Sequence, residues 1–235
     1  DVPNDMNLER ITQVDYRWGD RWLPVERGIT LDNFSSIDSD ADAQRSLQLA
    51  DRLVVLNALG ARRLPLALRE RCRVVLQSCP ARRVLPRPSR HLRALMVGHL
   101  REEKDPRTYW RAAERLASRR DILLDHVGAA LDPALGALAE ARAAAQVNYR
   151  WLGALAHSAT RRRIQAAHLL VHPSRMEGGA NVVIEAVRSG TPVLASRIDG
   201  NVGLLGDDYV GYFAPGDDAA LATLLERARD DADML

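Results

Sequence analysis

Glu177 and Glu185 are separated by seven residues, and the first four of these are Gly178-Gly179-Ala180-Asn181. Carboxylates accept pairs of hydroxyl hydrogen bonds, so two of them facing one ligand suit the vicinal hydroxyls of a sugar. Gly178 and Gly179 bare their backbone N–H groups just before a predicted helix. There, orphan donors and the positive end of the dipole favour hydroxyl or phosphate oxygens. Asn181 and Glu185 are four apart and share a helix face. A second group lies upstream, Gly98-His99-Leu100-Arg101-Glu102-Glu103-Lys104-Asp105. Gly98 permits a tight turn at a strand end. Arg101 and Lys104, the latter the only lysine in the chain, then lead to a helix N-terminus where cations and dipole both suit an anion. Each group also has a plain reading, a structural Gly-Gly turn before a capped helix for the first and a charged surface turn for the second. His172 reads as packed at a strand end. Arg175 and Arg197 read either as forks for an anionic acceptor or as exposed loop arginines.

The elements that must position these residues follow from periodicity. Leu92–Val97, Ile122–Val127, Tyr149–Leu152, His168–His172, Val193–Ser196 and Tyr209–Phe213 are short apolar runs that predict strands. Between them, helices are predicted over Pro106–Ala117 with Asp105 as N-cap, from Asp132-Pro133 onward, over Ser158–Ala167 and over Asn181–Ser189, with Asp217–Ala228 closing the chain. The alternation predicts an α/β fold with a Rossmann-like, doubly wound parallel sheet, in which ligands sit beyond the carboxyl ends of the strands. Upstream, Asp40–Ala50 predicts a helix and Leu53–Leu56 a strand. Ala58–Glu70 is a weaker helix broken at Pro65, Arg73–Leu76 is a strand, and Pro80–Pro88 is a linker. Residues 1–39 are polar and Asp-rich and give no element to predict. The chain thus divides into 1–39, a poorly defined N-terminal segment; 40–88, a short strand–helix region plus linker; and 89–235, the regular strand–helix alternation.

Composition narrows the field. A net charge of +2 over 235 residues is too balanced for a dedicated nucleic-acid binder. No apolar run is long enough for a membrane span, and the start Asp1-Val2-Pro3-Asn4-Asp5 has no signal-peptide pattern. Two cysteines, Cys72 and Cys79, make neither a disulfide framework nor a zinc site and fit a reducing cytoplasm. No Asp-x-Asp stands at a strand end, so no metal is expected. Arginine-rich stretches such as Arg161-Arg162-Arg163 read as a solvated helix face.

Taken together, Glu177-x7-Glu185, the following Ser189-Gly190-Thr191-Pro192-Val193-Leu194-Ala195-Ser196 and the Gly98…Lys104 loop resemble the retaining GT-B glycosyltransferases of the large sucrose-synthase-like family, over roughly residues 90–229. The resemblance implies a GT-B fold with a partial N-terminal Rossmann-like domain, whose opening strand and glycine loop have no counterpart here. Thr30-Leu31-Asp32-Asn33-Phe34 is at most an echo of that segment. It also implies that Glu177 contacts the donor sugar, Glu185 the nucleotide ribose, Lys104 and Arg101 the diphosphate, and Gly98, Gly178, Gly179, Ala180 and Asn181 the sugar and phosphates. Leu155, in Trp151-Leu152-Gly153-Ala154-Leu155, falls where the base is read. The family's arginine is His99 here. A narrower resemblance, through Asp40–Leu47, Val97–Arg101, His172–Asn181 and Ser196–Asn201, is to the selenosugar synthases of selenoneine biosynthesis. It implies a UDP-sugar donor, selenophosphate as an anionic acceptor near Arg175, and no other cofactor. An ordinary hexosyltransferase, an inactive UDP-sugar-binding fragment and a UDP-sugar epimerase remain alternatives.

Overall fold

The computed structural model describes residues 14–18, 21–25, 28–30, 41–231 and 234. The segments 1–13 and 31–40, with the start of the chain, Asp40 and most of the Thr30–Phe34 stretch, lie outside the described residues. The chain forms two units, Asp1–Gln77 with Glu177–Gly179, and Ser78–Met176 with Ala180–Leu235.

In the first unit, β1 (Val14–Trp18) and β2 (Arg21–Val25) pair antiparallel. The alternation Val14, Tyr16, Trp18 against Asp15, Arg17 is a period-two pattern, which the charged neighbours obscure in the sequence. A parallel sheet follows in the order β3 (Gly28–Thr30), β4 (Arg52–Val55), β5 (Cys72–Val74), with α1 (Ala41–Leu49) between β3 and β4. The expected helix at Ala58–Glu70 is two short pieces, a 3₁₀ turn at Gly60–Arg63 and the single turn α2 (Leu66–Arg69), because Pro65 ends one and starts the other. Leu47, Ala50, Leu53, Val55, Leu64 and Leu68 form this unit's core.

The second unit is a six-stranded parallel sheet flanked by helices. In chain order it runs β6 (Leu92–Val97), α3 (Pro106–Arg115), β7 (Ile122–Val127), α4 (Pro133–Ala145), β8 (Tyr149–Trp151), α5 (His157–Ala166), β9 (Leu169–His172), α6 (Asn181–Val187), β10 (Val193–Ser196), α7 (Asp199–Leu205), β11 (Tyr212–Phe213) and α8 (Asp218–Asp230). The spatial order is β11-β10-β9-β6-β7-β8. β7 and β8 build outward on one side of β6, and β9, β10 and β11 on the other, so the order reverses between β6 and β9. Alternate residues of β6 face opposite cores. Leu92, Ala94 and Met96 pack with Tyr109, Trp110, Leu116, Leu135, Leu221 and Leu225. Leu95 packs with Ile164, Val183 and Ala186 on the other side. Burial on both faces is why these strands read as largely apolar runs. The sequence reading has no counterpart for α7. The segment predicted as linker is held along its length: Arg82 N–H donates to the Arg188 carbonyl at 2.9 Å, and Arg87 donates to the carbonyls of Ala167 at 2.6 Å and Gly190 at 2.7 Å.

Among the described residues no helix is long and apolar enough to cross a membrane.

Two polar side chains interrupt the apolar run of β7: Asp125, which pairs with Arg93 and Arg150, and His126. His126 is fully buried, with Nε2 3.0 Å from the Gly98 carbonyl and Nδ1 3.2 Å from the Tyr149 hydroxyl. A carbonyl only accepts, so Nε2 carries the proton and Nδ1 accepts from Tyr149. The Tyr149 oxygen in turn accepts from Trp110 Nε1 at 2.8 Å. Burial, only partly opposed by the bond to Gly98, drives the His126 pKa down from 6.5 to about 4. The unfolded chain therefore binds a proton between pH 6.5 and 4 that the folded chain refuses. Stability from this group is whole above pH 6.5 and declines as pH falls toward 4, by up to ~3 kcal/mol. The denaturation free energy of wild type relative to His126→Gln should shrink by roughly that amount between pH 7.5 and 4. A pH-independent difference would show that the imidazole is not held neutral.

Candidate functional site

The loop after β6 is stitched to the loop after β7. Gly98 N–H continues the ladder to the Val127 carbonyl at 2.9 Å, Leu100 N–H donates to Ala129 at 2.8 Å, and Asp132 N–H donates to Leu100 at 3.1 Å. The Gly98 carbonyl is fixed from below by His126. Gly128 passes so close that a Cβ there would sit 1.8 Å from that carbonyl oxygen. Ala129 N–H donates to His99 Nδ1 at 2.9 Å. That contact makes Nε2 the protonated nitrogen of the exposed His99 ring. Burial, then Arg101, then Lys104 push the His99 pKa down, so the residue offers a neutral N–H donor where an arginine stands in the resembling family.

Beyond His99 the chain makes a 3₁₀ turn, Glu102–Lys104. The exposed Arg101 pairs with Glu103 at 2.9 Å. The Lys104 stem lies along Gly98, with its Cδ 3.6 Å from where a Gly98 Cβ would be. Asp105 then adopts the left-handed conformation, φ 46° and ψ 56°, and caps α3 by accepting from Thr108 N–H at 3.3 Å and Thr108 Oγ1 at 2.7 Å. The buried Asp105 carboxylate is thus the N-cap of α3, as its place before Pro106 predicts.

The loop after β9 meets this turn. Arg175 N–H donates to the Glu103 carbonyl at 2.8 Å, and Arg175 Nε lies 3.1 Å from Asp105 Oδ2. One half of the Arg175 fork, read earlier as available to an acceptor, thus serves as a joint between loops. From the far side the loop is held by Ser196, whose hydroxyl donates to the Ser174 carbonyl at 2.5 Å, and Asn201 Nδ2 donates to the Ser196 carbonyl at 2.8 Å. His172 is buried at the strand end, as its sequence position predicts. Arg197 pairs with Asp207 at 2.6 Å and stacks over Tyr212.

Glu177–Gly179 belong to the first unit. There the Gly178 carbonyl accepts from buried Asn57 Nδ2 at 2.6 Å, while Asn57 Oδ1 accepts from Leu59 and Gly60 N–H. A Cβ at Gly179 would lie 2.8 Å from Leu56 Cβ, so only glycine fits without a shift. Ala180 is the N-cap of α6 and Asn181 its exposed first residue. Glu185 is buried one turn in, where His157 Nε2 reaches its Oε1 at 2.8 Å and Arg161 Nη1 at 3.4 Å. Leu155 sits partly exposed in the loop leading into α5.

Arg161 corrects the sequence reading. It does not belong to a solvated face: it is 4% exposed, and Nη2 donates to the Pro80 carbonyl at 3.0 Å. Its neighbours Arg162 and Arg163 are exposed. Sequence reasoning also passed over His126, Tyr149, Asp105 as a joint, and His157. The available signals were a histidine inside an apolar strand, and the four-residue spacing of His157 and Arg161, which places both on one helix face.

The structure therefore brings Gly98, His99, Arg101, Lys104 and Arg175 together at the carboxyl ends of β6 and β9, where the strand order reverses. It sets Glu185 on α6 against α5. Residues 80–234 match the family described as glycosyl transferases group 1. Among solved structures, HepE from Anabaena in complex with UDP aligns with TM-score 0.71 at 17% identity, covering 88% of this chain and 63% of that one. TarM from S. aureus, in complex with fondaparinux, α-GlcNAc-glycerol and UDP, aligns with TM-score 0.69 at 14% identity over 86% and 43%. Sucrose-phosphate synthase from Thermosynechococcus elongatus aligns with TM-score 0.67 at 21% identity over 84% and 55%. The chain thus spans less than two thirds of the length of each. No curated protein sequence matches the chain. These similarities make the fold GT-B in type.

The packing of Gly98 gives a contrast to measure. Gly128→Ala must displace the Gly98 carbonyl and should destabilise by about 1–3 kcal/mol or more. Gly98→Ala meets only ordinary contact with the Lys104 stem and should cost under about 1 kcal/mol. Equal effects in thermal or chemical denaturation would mean the close approach at Gly128 is absent.

Proposed function

The chain belongs to the glycosyl transferases group 1 family, and from that premise we propose that it binds a UDP-sugar and transfers the sugar to an anionic acceptor, selenophosphate. The observation that carries the donor half is the contact of Arg175 with Glu103 and Asp105, which sets the turn bearing Lys104 beside the loop leading to Glu185. In the proposal Lys104 and Arg101 offset the charge that grows on the leaving diphosphate. The His99 Nε2–H adds a neutral donor and Gly98 allows close approach. Glu185 accepts from the ribose hydroxyls, Leu155 lies at the base, and Glu177, Gly178, Gly179, Ala180 and Asn181 address the sugar and phosphates. Preorganised charge of this kind is commonly the largest catalytic contribution, each donor worth on the order of 3 kcal/mol. The proposal routes no step through a metal and assigns no further cofactor.

For the acceptor the support is the sequence resemblance to selenosugar synthases, with His99 in place of the arginine. Selenium would form the bond to the anomeric carbon as the bond to UDP breaks. The outer part of the Arg175 guanidinium, half exposed at 54%, is the group proposed to face the acceptor anion.

Calorimetry with UDP tests the donor reading. Lys104→Ala and Glu185→Gln should each weaken UDP binding by about tenfold, the loss of one charge-assisted contact, with melting temperature little changed. Glutamine is the better replacement at 185, because its amide oxygen can still accept from the buried Arg161 guanidinium, which alanine would leave with no acceptor there. Unchanged affinity in both variants would end the assignment. Assay with UDP-sugars should release UDP with selenophosphate and not with hydroxyl acceptors. The reverse preference would replace selenosugar synthesis by ordinary hexosyl transfer.

A further inference from the structure

A buried guanidinium is costly unless its donors are used. The Arg161 side chain is 5% exposed, and its fork divides between two targets: Nη1 lies 3.4 Å from Glu185 Oε1 and Nη2 3.0 Å from the Pro80 carbonyl. The neighbouring Cys79 side chain also faces it and, with Glu185, outweighs the effect of burial, so that its pKa is raised. Arginine is thus a fixed cation here, and its planar fork has the two separated donors that the arrangement requires. One turn earlier on α5, His157 Nε2 approaches the same Oε1 at 2.8 Å, but from a side chain that is 79% exposed. The two contacts differ in kind. The imidazole can be displaced by a ligand, whereas the guanidinium is walled in. Both approach the same oxygen, Oε1.

We propose that Arg161 is a positioning residue: anchored on the Cys79–Pro80 segment, it holds the Glu185 carboxylate in the one orientation that accepts both hydroxyls of the nucleotide ribose. This rests on the reading of Glu185 as the ribose-binding group. Arg161 does not touch the nucleotide. It acts through Glu185, so its removal affects only ligands that carry the hydroxyls.

The experiment compares UDP with 2′,3′-dideoxy-UDP by calorimetry on the wild type, Arg161→Met and Arg161→Lys. The wild type should prefer UDP by at least about tenfold, the worth of hydroxyl hydrogen bonds to a carboxylate. Arg161→Met should lose about fivefold or more for UDP and stay within about twofold for the dideoxy compound, so the preference collapses. Arg161→Lys keeps the charge but not the fork and should fall between the two; it also carries the test if the methionine variant does not fold. Equal losses for both nucleotides, or an undiminished preference in both variants, would overturn the positioning role while leaving Glu185 as the ribose ligand. A wild type that binds both nucleotides equally would overturn the ribose reading itself, and this inference with it.

Discussion

The candidate site depends on a buried carboxylate with three claims on it. Asp105 accepts from the backbone and the hydroxyl of Thr108 and from Arg175 Nε, and is 1% exposed. An ionised carboxylate so deeply placed is tolerable only when its lone pairs are taken. The left-handed backbone at Asp105, unusual for a residue with a Cβ, is what turns the carboxylate toward both partners at once. The Arg175 amide closes the joint on the Glu103 carbonyl. Two loops that are far apart in sequence are thereby tied together, at the place where the strand order reverses and where a parallel α/β sheet leaves room for a ligand.

Beneath that joint the sheet supplies stiffness. Both faces of β6 are covered, and the strand passes directly into Gly98, whose carbonyl accepts the hydrogen bond from His126 Nε2–H. The chain of donors from Trp110 through Tyr149 to His126 has only one consistent direction, because indole only donates and the carbonyl only accepts. A polar network satisfied at every link specifies one geometry where an apolar contact would tolerate several. The same principle governs Glu185, fixed from α5 by a buried arginine.

Much of this was legible in the sequence. Leu92–Val97, Ile122–Val127 and Val193–Ser196 are strands with the expected bounds, since doubly buried strands are largely apolar and are cut off by Gly, Asp, Pro or Arg at their ends. Asp105, Asp132 and Asp217 cap the helices that follow them, as aspartate before proline or a helical run predicts. What was not legible has physical causes. The helix α7 carries Gly200 and Gly203 and has few apolar residues to mark a face. The Arg161–Arg163 run hides its one buried member. Successive helical residues are rotated by about 100°, so three in a row always include one nearer the core, and composition cannot say which. The roles of Asp105 and His126 as joints arise from contacts between separate loops and strands, and no local pattern encodes those.

A crystal structure of the protein with UDP bound tests the account most directly. It predicts the diphosphate beside Lys104 and His99 Nε2 at the carboxyl ends of β6 and β9, with the ribose hydroxyls on Glu185 and the Arg175–Asp105 contact intact. Density for the nucleotide at any other edge of the sheet, or a ribose turned away from Glu185, would contradict it.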